Sequence, residues 1–153
     1  MWTRIGAGGA IVSMTLAAAL QAVDGIALKA IVDVWAGAPG AQQEAAFYAA
    51  FAVRQVEIGL ASLLSLFFGV TVIVYGGALR MDEVYPRWRG ALAIVDGVPT
   101  AVAGIVMAYT GFSGLAMGIS MPAGSLLLVW ILALGVCMWR QNCHIAPRGA
   151  AYG

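Results

Sequence analysis

Between Glu57 and Arg80 the sequence reads IGLASLLSLFFGVTVIVYGGAL (residues 58–79), a stretch of 22 residues without a charged side chain. A helix needs about 20 apolar residues to cross the hydrocarbon core of a bilayer. Together with this stretch, whose helix is predicted to cover 42–79, the chain offers apolar helices at 5–35, 90–109 and 118–139. The sequence therefore predicts an all-α, four-transmembrane-helix antiparallel bundle, with residues 1–153 forming a single membrane domain.

The composition supports this class of protein. Hydrophobic residues make up 62% of the chain, charged residues only 10%, and the mean hydropathy is +0.91. Because a soluble domain carries about 25% charged residues, this chain has too few to cover a water-facing surface. The net charge of +1 argues against nucleic acid as a partner, since phosphate binding requires a strongly basic face.

The arginines predict the orientation of the helices. They flank the apolar stretches at alternate breaks, whereas the break at 110–121 has no charge, and the six are Arg4, Arg80, Arg87, Arg89, Arg140 and Arg148. With four spans all six fall on one side, which the positive-inside rule assigns to the cytoplasm. Aromatic residues typical of a membrane interface lie at the same side, namely Trp2, Tyr85, Trp88 and Trp139. Both termini are therefore predicted to be cytoplasmic. A cleaved signal peptide ending near Ala19 is the alternative for the N-terminus, but it would leave three spans and divide the arginines between the two sides.

The first two helices are predicted to be longer than the bilayer is thick. Arg80 and Glu57 are about 35 Å apart along a helix, and Arg4 and Asp24 about 30 Å. Asp24 and Glu57 are therefore placed near the outer interface. The remaining parts of the two helices form a hairpin closed at Pro39, which is predicted to project beyond the outer membrane face.

This hairpin carries a predicted polar cluster. With the turn at Pro39 as the midpoint, Asp24 lies opposite Arg54 and Gln21 opposite Glu57. The cluster is interpreted first as an ion-pair clamp, because an unpaired charge at low dielectric costs several kcal/mol. The alternative is a pocket for a ligand, an ion or a proton.

Asp96 is the second polar feature of the predicted spans. It follows Arg89 by seven residues, about 10 Å inside the cytoplasmic boundary. A carboxyl group there is expected to face the bundle and to be protonated or hydrogen bonded, with Ser13 and Tyr75 at similar depth as possible hydrogen-bond partners. Either a structural hydrogen bond between helices or a carboxyl group that handles protons or substrate is consistent with this position.

Small residues predict where the helices pack. Gly97, Ala101, Gly104 and Ala108 form one stripe, and Ala61, Ser65, Gly69 and Gly76 form another. Small side chains let helix backbones approach closely, which drives helix association in lipid. Because the chain lacks a Gly-rich phosphate loop, a Ser/His/Asp set and paired histidines, no catalytic residue, metal site or cofactor is expected.

The region 51–140 resembles small uncharacterised integral membrane proteins of bacteria. The resemblance rests on VRQVEIGL (53–60), YPRWRG (85–90) and MAYTGFSG (107–114). It implies a multi-pass location in the bacterial plasma (inner) membrane, and it implies no activity.

Three functional hypotheses follow. The first is a non-enzymatic accessory or scaffold subunit that lies among membrane lipid and packs with a membrane protein partner or with further copies of itself. The second is a small ligand-binding or transport protein that uses the outer polar cluster and Asp96. The third is an intramembrane enzyme that acts on a lipid-like substrate.

Overall fold

The computed structural model describes residues 2–81 and 87–145. The described residues are helical apart from two short turns. In chain order the helices are α1 (Trp2–Ala22), a π-helical segment (Val23–Leu28), α2 (Lys29–Gly37), α3 (Ala41–Met81), α4 (Arg87–Thr110) and α5 (Gly114–Ile145). Tyr85 and Arg148, which entered the orientation argument, lie outside the described residues.

Four helices are long and apolar enough to cross a membrane, as the sequence predicted. The first consists of α1, the π-helical segment and α2, and the others are α3, α4 and α5. The observed helices contain the predicted ones and extend a few residues further at their ends. One difference is internal, because the predicted helix 5–35 is interrupted by the wider π-helical turn at Val23–Leu28.

Glycines in the left-handed conformation end the helices at two turns. Gly40 has a φ of 55° and its carbonyl accepts hydrogen bonds from the amides of Gln43 and Glu44. Gly111 has a φ of 64° and its amide donates to the carbonyl of Met107, which closes the end of α4. Ser113 then begins α5, because its hydroxyl accepts a hydrogen bond from the amide of Ala116.

The helices form an open row rather than a closed ring. α3 packs against α1, α2 and α4, and the contact between α3 and α4 is the most extensive in the described chain. α5 packs only against α4. Within residues 2–81 and 87–145, no Cα atom of α1 lies within 8 Å of a Cα atom of α5. Because packed helices have axes only about 8–10 Å apart, the first and last helices are separated by a gap.

Glycines bring α3 and α4 into backbone contact. A Cβ built on Gly97 would lie 2.8 Å from the carbonyl oxygen of Gly69, and one on Gly104 would lie 2.7 Å from the carbonyl oxygen of Ser62. Gly76 meets the carbonyl oxygen of Gly90 in the same way at 2.8 Å. The predicted role of the small residues in packing is confirmed at Gly69, Gly76, Gly97 and Gly104. Ala108 is exposed instead, and Ser65 lines the gap described below.

Candidate functional site

Arg54 and Glu57 form an ion pair on α3. The Nη1 atom of Arg54 donates to both carboxylate oxygens of Glu57, at 2.7 and 2.6 Å. The Glu57 side chain is 7% exposed, whereas that of Arg54 is 45% exposed. The guanidinium group also lies over the ring of Phe112, 4.8 Å from its centroid. The pair therefore joins the middle of α3 to the turn between α4 and α5.

The other two members of the predicted outer cluster do not join this pair. Gln21 and Asp24 are exposed, and within the part of the chain that the structure describes neither side chain forms a hydrogen bond or an ion pair. The prediction placed them on an uninterrupted α-helix, but Asp24 lies in the π-helical segment. A π turn holds an additional residue, so the register of a straight α-helix does not continue through it. Phe112, which sequence reasoning missed, takes their place beside Arg54.

Asp96 is almost completely buried, with 1% of its surface exposed. Neither of its carboxyl oxygens has a hydrogen-bond partner in the structure. The expected partners are engaged elsewhere, because the hydroxyl of Ser13 donates to the carbonyl of Gly9 and the ring of Tyr75 faces Gly6. The hydroxyl of Thr100 donates to the backbone carbonyl of Asp96, not to its side chain. The predicted hydrogen bonds from Ser13 and Tyr75 to Asp96 are therefore absent from this structure.

The gap between α1 and α5 is a cleft of about 460 Å³, which we call the lateral cleft. α1 and α5 form its walls, α3 forms its floor, and Thr100 is the contribution of α4. Its lining comprises Ala10, Ser13, Met14, Ala17, Leu64, Ser65, Phe68, Thr71, Val72, Tyr75, Thr100, Leu127, Trp130 and Ile131. Ser13 and Tyr75, which the sequence placed at one depth, are thus brought together in this cleft. Asp96 is not among the lining residues.

The hydroxyl groups in the lateral cleft do not make it polar. Ser13, Thr71 and Thr100 each donate to a carbonyl four residues earlier in their own helix, at 2.7–2.9 Å. Hydroxyl groups bonded in this way have no need of a partner in the cleft. The surface that remains consists mainly of methyl, methylene and aromatic groups. An occupant of the cleft would therefore be apolar.

The lateral cleft occupies about half of the bundle's length. Along α3 it extends from Leu64 to Tyr75, which is about 16 Å at 1.5 Å per residue. Half of a bilayer's hydrocarbon core is about 15 Å thick. Tyr75 is five residues, or about 7.5 Å, from Arg80 in the last turn of α3. The cleft thus matches one leaflet in depth and lies toward the end of the bundle that carries Arg80, which we call the arginine end.

Trp130 closes the lateral cleft at the arginine end. Its indole nitrogen donates to the carbonyl oxygen of Arg89 at 3.1 Å and so ties α5 to the start of α4. Sequence reasoning missed this residue because Trp130 lies in an apolar run and its partner is a backbone atom 41 residues away.

The fold and the cleft define a class, that of multi-pass helical membrane proteins with a laterally open apolar cleft. Comparison of the chain with protein-family models, with curated proteins and with solved structures finds no match.

Proposed function

We propose that this chain is a non-enzymatic accessory protein of a membrane, and that its lateral cleft binds a chain-like apolar ligand from the bilayer. The observation that carries the proposal is the separation of α1 from α5, which leaves an apolar cleft of about 460 Å³ open toward lipid. Cavities that bind small molecules are typically about 300–1,000 Å³. The lateral cleft therefore has the volume and the lining of a binding site.

The size of the lateral cleft favours a lipid chain over a partner helix. A helix with its side chains is about 10–12 Å across and rises 1.5 Å per residue. Two turns of such a helix fill roughly 900 Å³ on these dimensions, about twice the volume of the cleft. A single hydrocarbon chain is much thinner and requires no hydrogen-bond partner. Any protein partner, or a further copy of this chain, would then pack elsewhere on the apolar surface.

The proposed orientation places both termini in the cytoplasm. Arg4, Arg80 and Arg87 lie at one end of the helices, where the positive-inside rule expects basic residues. α3, with 41 residues, is about 60 Å long, twice the thickness of a hydrocarbon core of about 30 Å. This length supports a hairpin of α2 and the start of α3 that projects from the opposite face. The resemblance of 51–140 to bacterial proteins supports the plasma membrane of a bacterium.

The polar residues give less support to transport or to catalysis. Arg54 and Glu57 are bonded to each other, and Asp96 is buried outside the lining of the cleft. A transported ion or a polar substrate needs polar groups along its path. The accessory role is therefore the proposal that best accounts for the described residues.

Ligand content tests the proposal. Ala17→Phe places a ring in the lateral cleft, whereas Ala19→Phe on the same helix adds the same ring at an exposed position outside the cleft lining. Both proteins would be purified from membranes in mild detergent, and their bound lipids extracted and counted by mass spectrometry. We expect tightly bound lipid with the parent chain and with Ala19→Phe, and a clear loss with Ala17→Phe. Equal lipid content in all three proteins would contradict the proposal.

A fusion experiment tests the orientation separately. Green fluorescent protein fluoresces only on the cytoplasmic side of a bacterial plasma membrane, and alkaline phosphatase is active only outside it. We expect fluorescence from a C-terminal fusion and phosphatase activity from an insertion after Ser113. The reverse result would overturn the orientation but not the proposed ligand.

A further inference from the structure

The arginine end of the lateral cleft carries two cations on different helices. Arg80 lies one and a half turns beyond Tyr75 on α3, and Arg4 lies about 9 Å beyond Ala10 on α1. The ring of Tyr75 faces Gly6, two residues from Arg4. Both guanidinium groups are therefore placed just past the open end of the cleft.

These two arginines differ from the basic residues at the other end of the helices. Lys29 pairs with Asp33 at 2.5 Å and Arg54 pairs with Glu57 at 2.6 Å. Arg4 and Arg80 are exposed and form no ion pair within residues 2–81 and 87–145. Asp82 and Glu83 follow Arg80 in the chain and lie outside the described residues. Arg4 and Arg80 thus have guanidinium groups that can bind an anion from outside the chain.

We infer that the lateral cleft holds one acyl chain of an anionic phospholipid, whose phosphate group is bound by Arg4 and Arg80. This inference rests on the proposed function and adds the class of ligand, its head group and its leaflet. The acyl chain lies between α1 and α5 against Phe68 and Val72. The head group lies at the arginine end, so the lipid belongs to the leaflet on that side.

Three dimensions of the cleft agree with this ligand. Its length of about 16 Å is that of one leaflet. Its middle offers few free polar groups, because the hydroxyl groups of Ser13, Thr71 and Thr100 are bonded to their own helices. The hydroxyl of Tyr75 makes no hydrogen bond to another described residue and lies at the level where the glycerol esters of the lipid would be found. Polarity thus increases from Leu64 toward Arg80, as it does along a phospholipid.

The head group is tested with nanodiscs that contain equal amounts of phosphatidylglycerol and phosphatidylcholine. The full chain is transferred from these discs to mild detergent, and bound lipids are identified by native mass spectrometry. Arg4→Gln and Arg80→Gln remove one charge each at the cleft, and Lys29→Gln removes one charge far from it. Near a membrane surface each basic residue attracts anionic lipid about fivefold. We expect the ratio of bound phosphatidylglycerol to phosphatidylcholine to fall about fivefold in each arginine variant and to stay unchanged in Lys29→Gln.

The same measurement on cleft variants separates the two proposals. Ala17→Phe and, from the opposite wall, Ile131→Trp are expected to lose both lipids, and size-exclusion chromatography checks that each is folded. If the cleft variants lose lipid but the arginine variants keep the parent's ratio, the anionic head group is wrong and the apolar ligand stands. If folded Ala17→Phe and folded Ile131→Trp both keep their lipid, the inference and the proposed function fall together.

Discussion

A Cβ atom on Gly69 would lie 2.5 Å from the backbone nitrogen of Ala101, so α3 and α4 touch backbone to backbone at this point. Real Cβ atoms do not approach other atoms this closely. The neighbouring atom belongs to the backbone of a helix, so a side-chain rotation cannot relieve the overlap. The most extensive interface of the described chain therefore depends on the absence of a methyl group at residue 69.

Gly69→Ala is expected to separate α3 from α4 and to destabilise the protein by about 1–3 kcal/mol or more, as overpacking does in other cores. Gly77→Ala is the matched control, because it lies on the same helix with nothing within 4 Å of its Cβ position. Alanine favours a helix over glycine, so the control is expected to be neutral or slightly stabilising. Unfolding midpoints in detergent measure both. Equal midpoints would show that the helices pack differently.

Arg54→Gln tests the ion pair with Glu57. The buried carboxylate would lose both of its charge-assisted hydrogen bonds, and we expect a loss of about 1–2 kcal/mol, since Arg54 is itself nearly half exposed. Lys29→Gln breaks a pair whose side chains are 70% and 63% exposed, and it is expected to cost much less. The double variant Arg54→Gln with Glu57→Gln should recover most of the lost stability. A double variant that is less stable than either single variant would contradict this account.

Much of the fold could be predicted because the bilayer imposes simple constraints on sequence. An uncharged run such as 58–79 has the length of a membrane span, and the glycines of α3 and α4 are spaced for packing. The interruption at Val23–Leu28 could not be predicted in this way. Its sequence VDGIAL is compatible with an ordinary α-helix, and the wider turn depends on how the first helix lies on α3.

The lateral cleft and the environment of Asp96 were less accessible to sequence reasoning. A cleft exists because α1 and α5 do not meet, and no periodicity within either helix encodes that separation. The burial of Asp96 followed from its depth in a span, but its lack of a partner depends on where the hydroxyl groups of Ser13 and Thr100 point. Both hydroxyl groups bond to their own helices, which is a local choice that spacing alone does not reveal.

Trp130→Phe tests how α5 is held. The substitution keeps an aromatic ring but removes the hydrogen bond to the carbonyl of Arg89, which is worth about 0.5–1.5 kcal/mol. Because α5 packs only against α4 in the described chain, we expect faster amide hydrogen exchange in α5 with little change in α3. Trp139→Phe, on the same helix at a position 75% exposed, serves as the control. Uniform exchange across all helices in Trp130→Phe would indicate global destabilisation instead.

Asp96→Asn and Glu57→Gln compare two buried carboxyl groups in opposite situations. Glu57 accepts two hydrogen bonds from Arg54, whereas neither oxygen of Asp96 has a partner. An unpaired charge buried among apolar groups is unfavourable, so we expect Asp96 to be neutral and its amide variant to change the free energy of unfolding by less than about 1 kcal/mol. Glu57→Gln should cost more, because it removes the charge that Arg54 binds. Infrared spectroscopy checks the protonation directly, since the carbonyl band of a protonated carboxyl group should be present in the parent and absent in Asp96→Asn. A larger loss of stability in Asp96→Asn than in Glu57→Gln would show that Asp96 is charged and bound to a group that this structure does not place beside it.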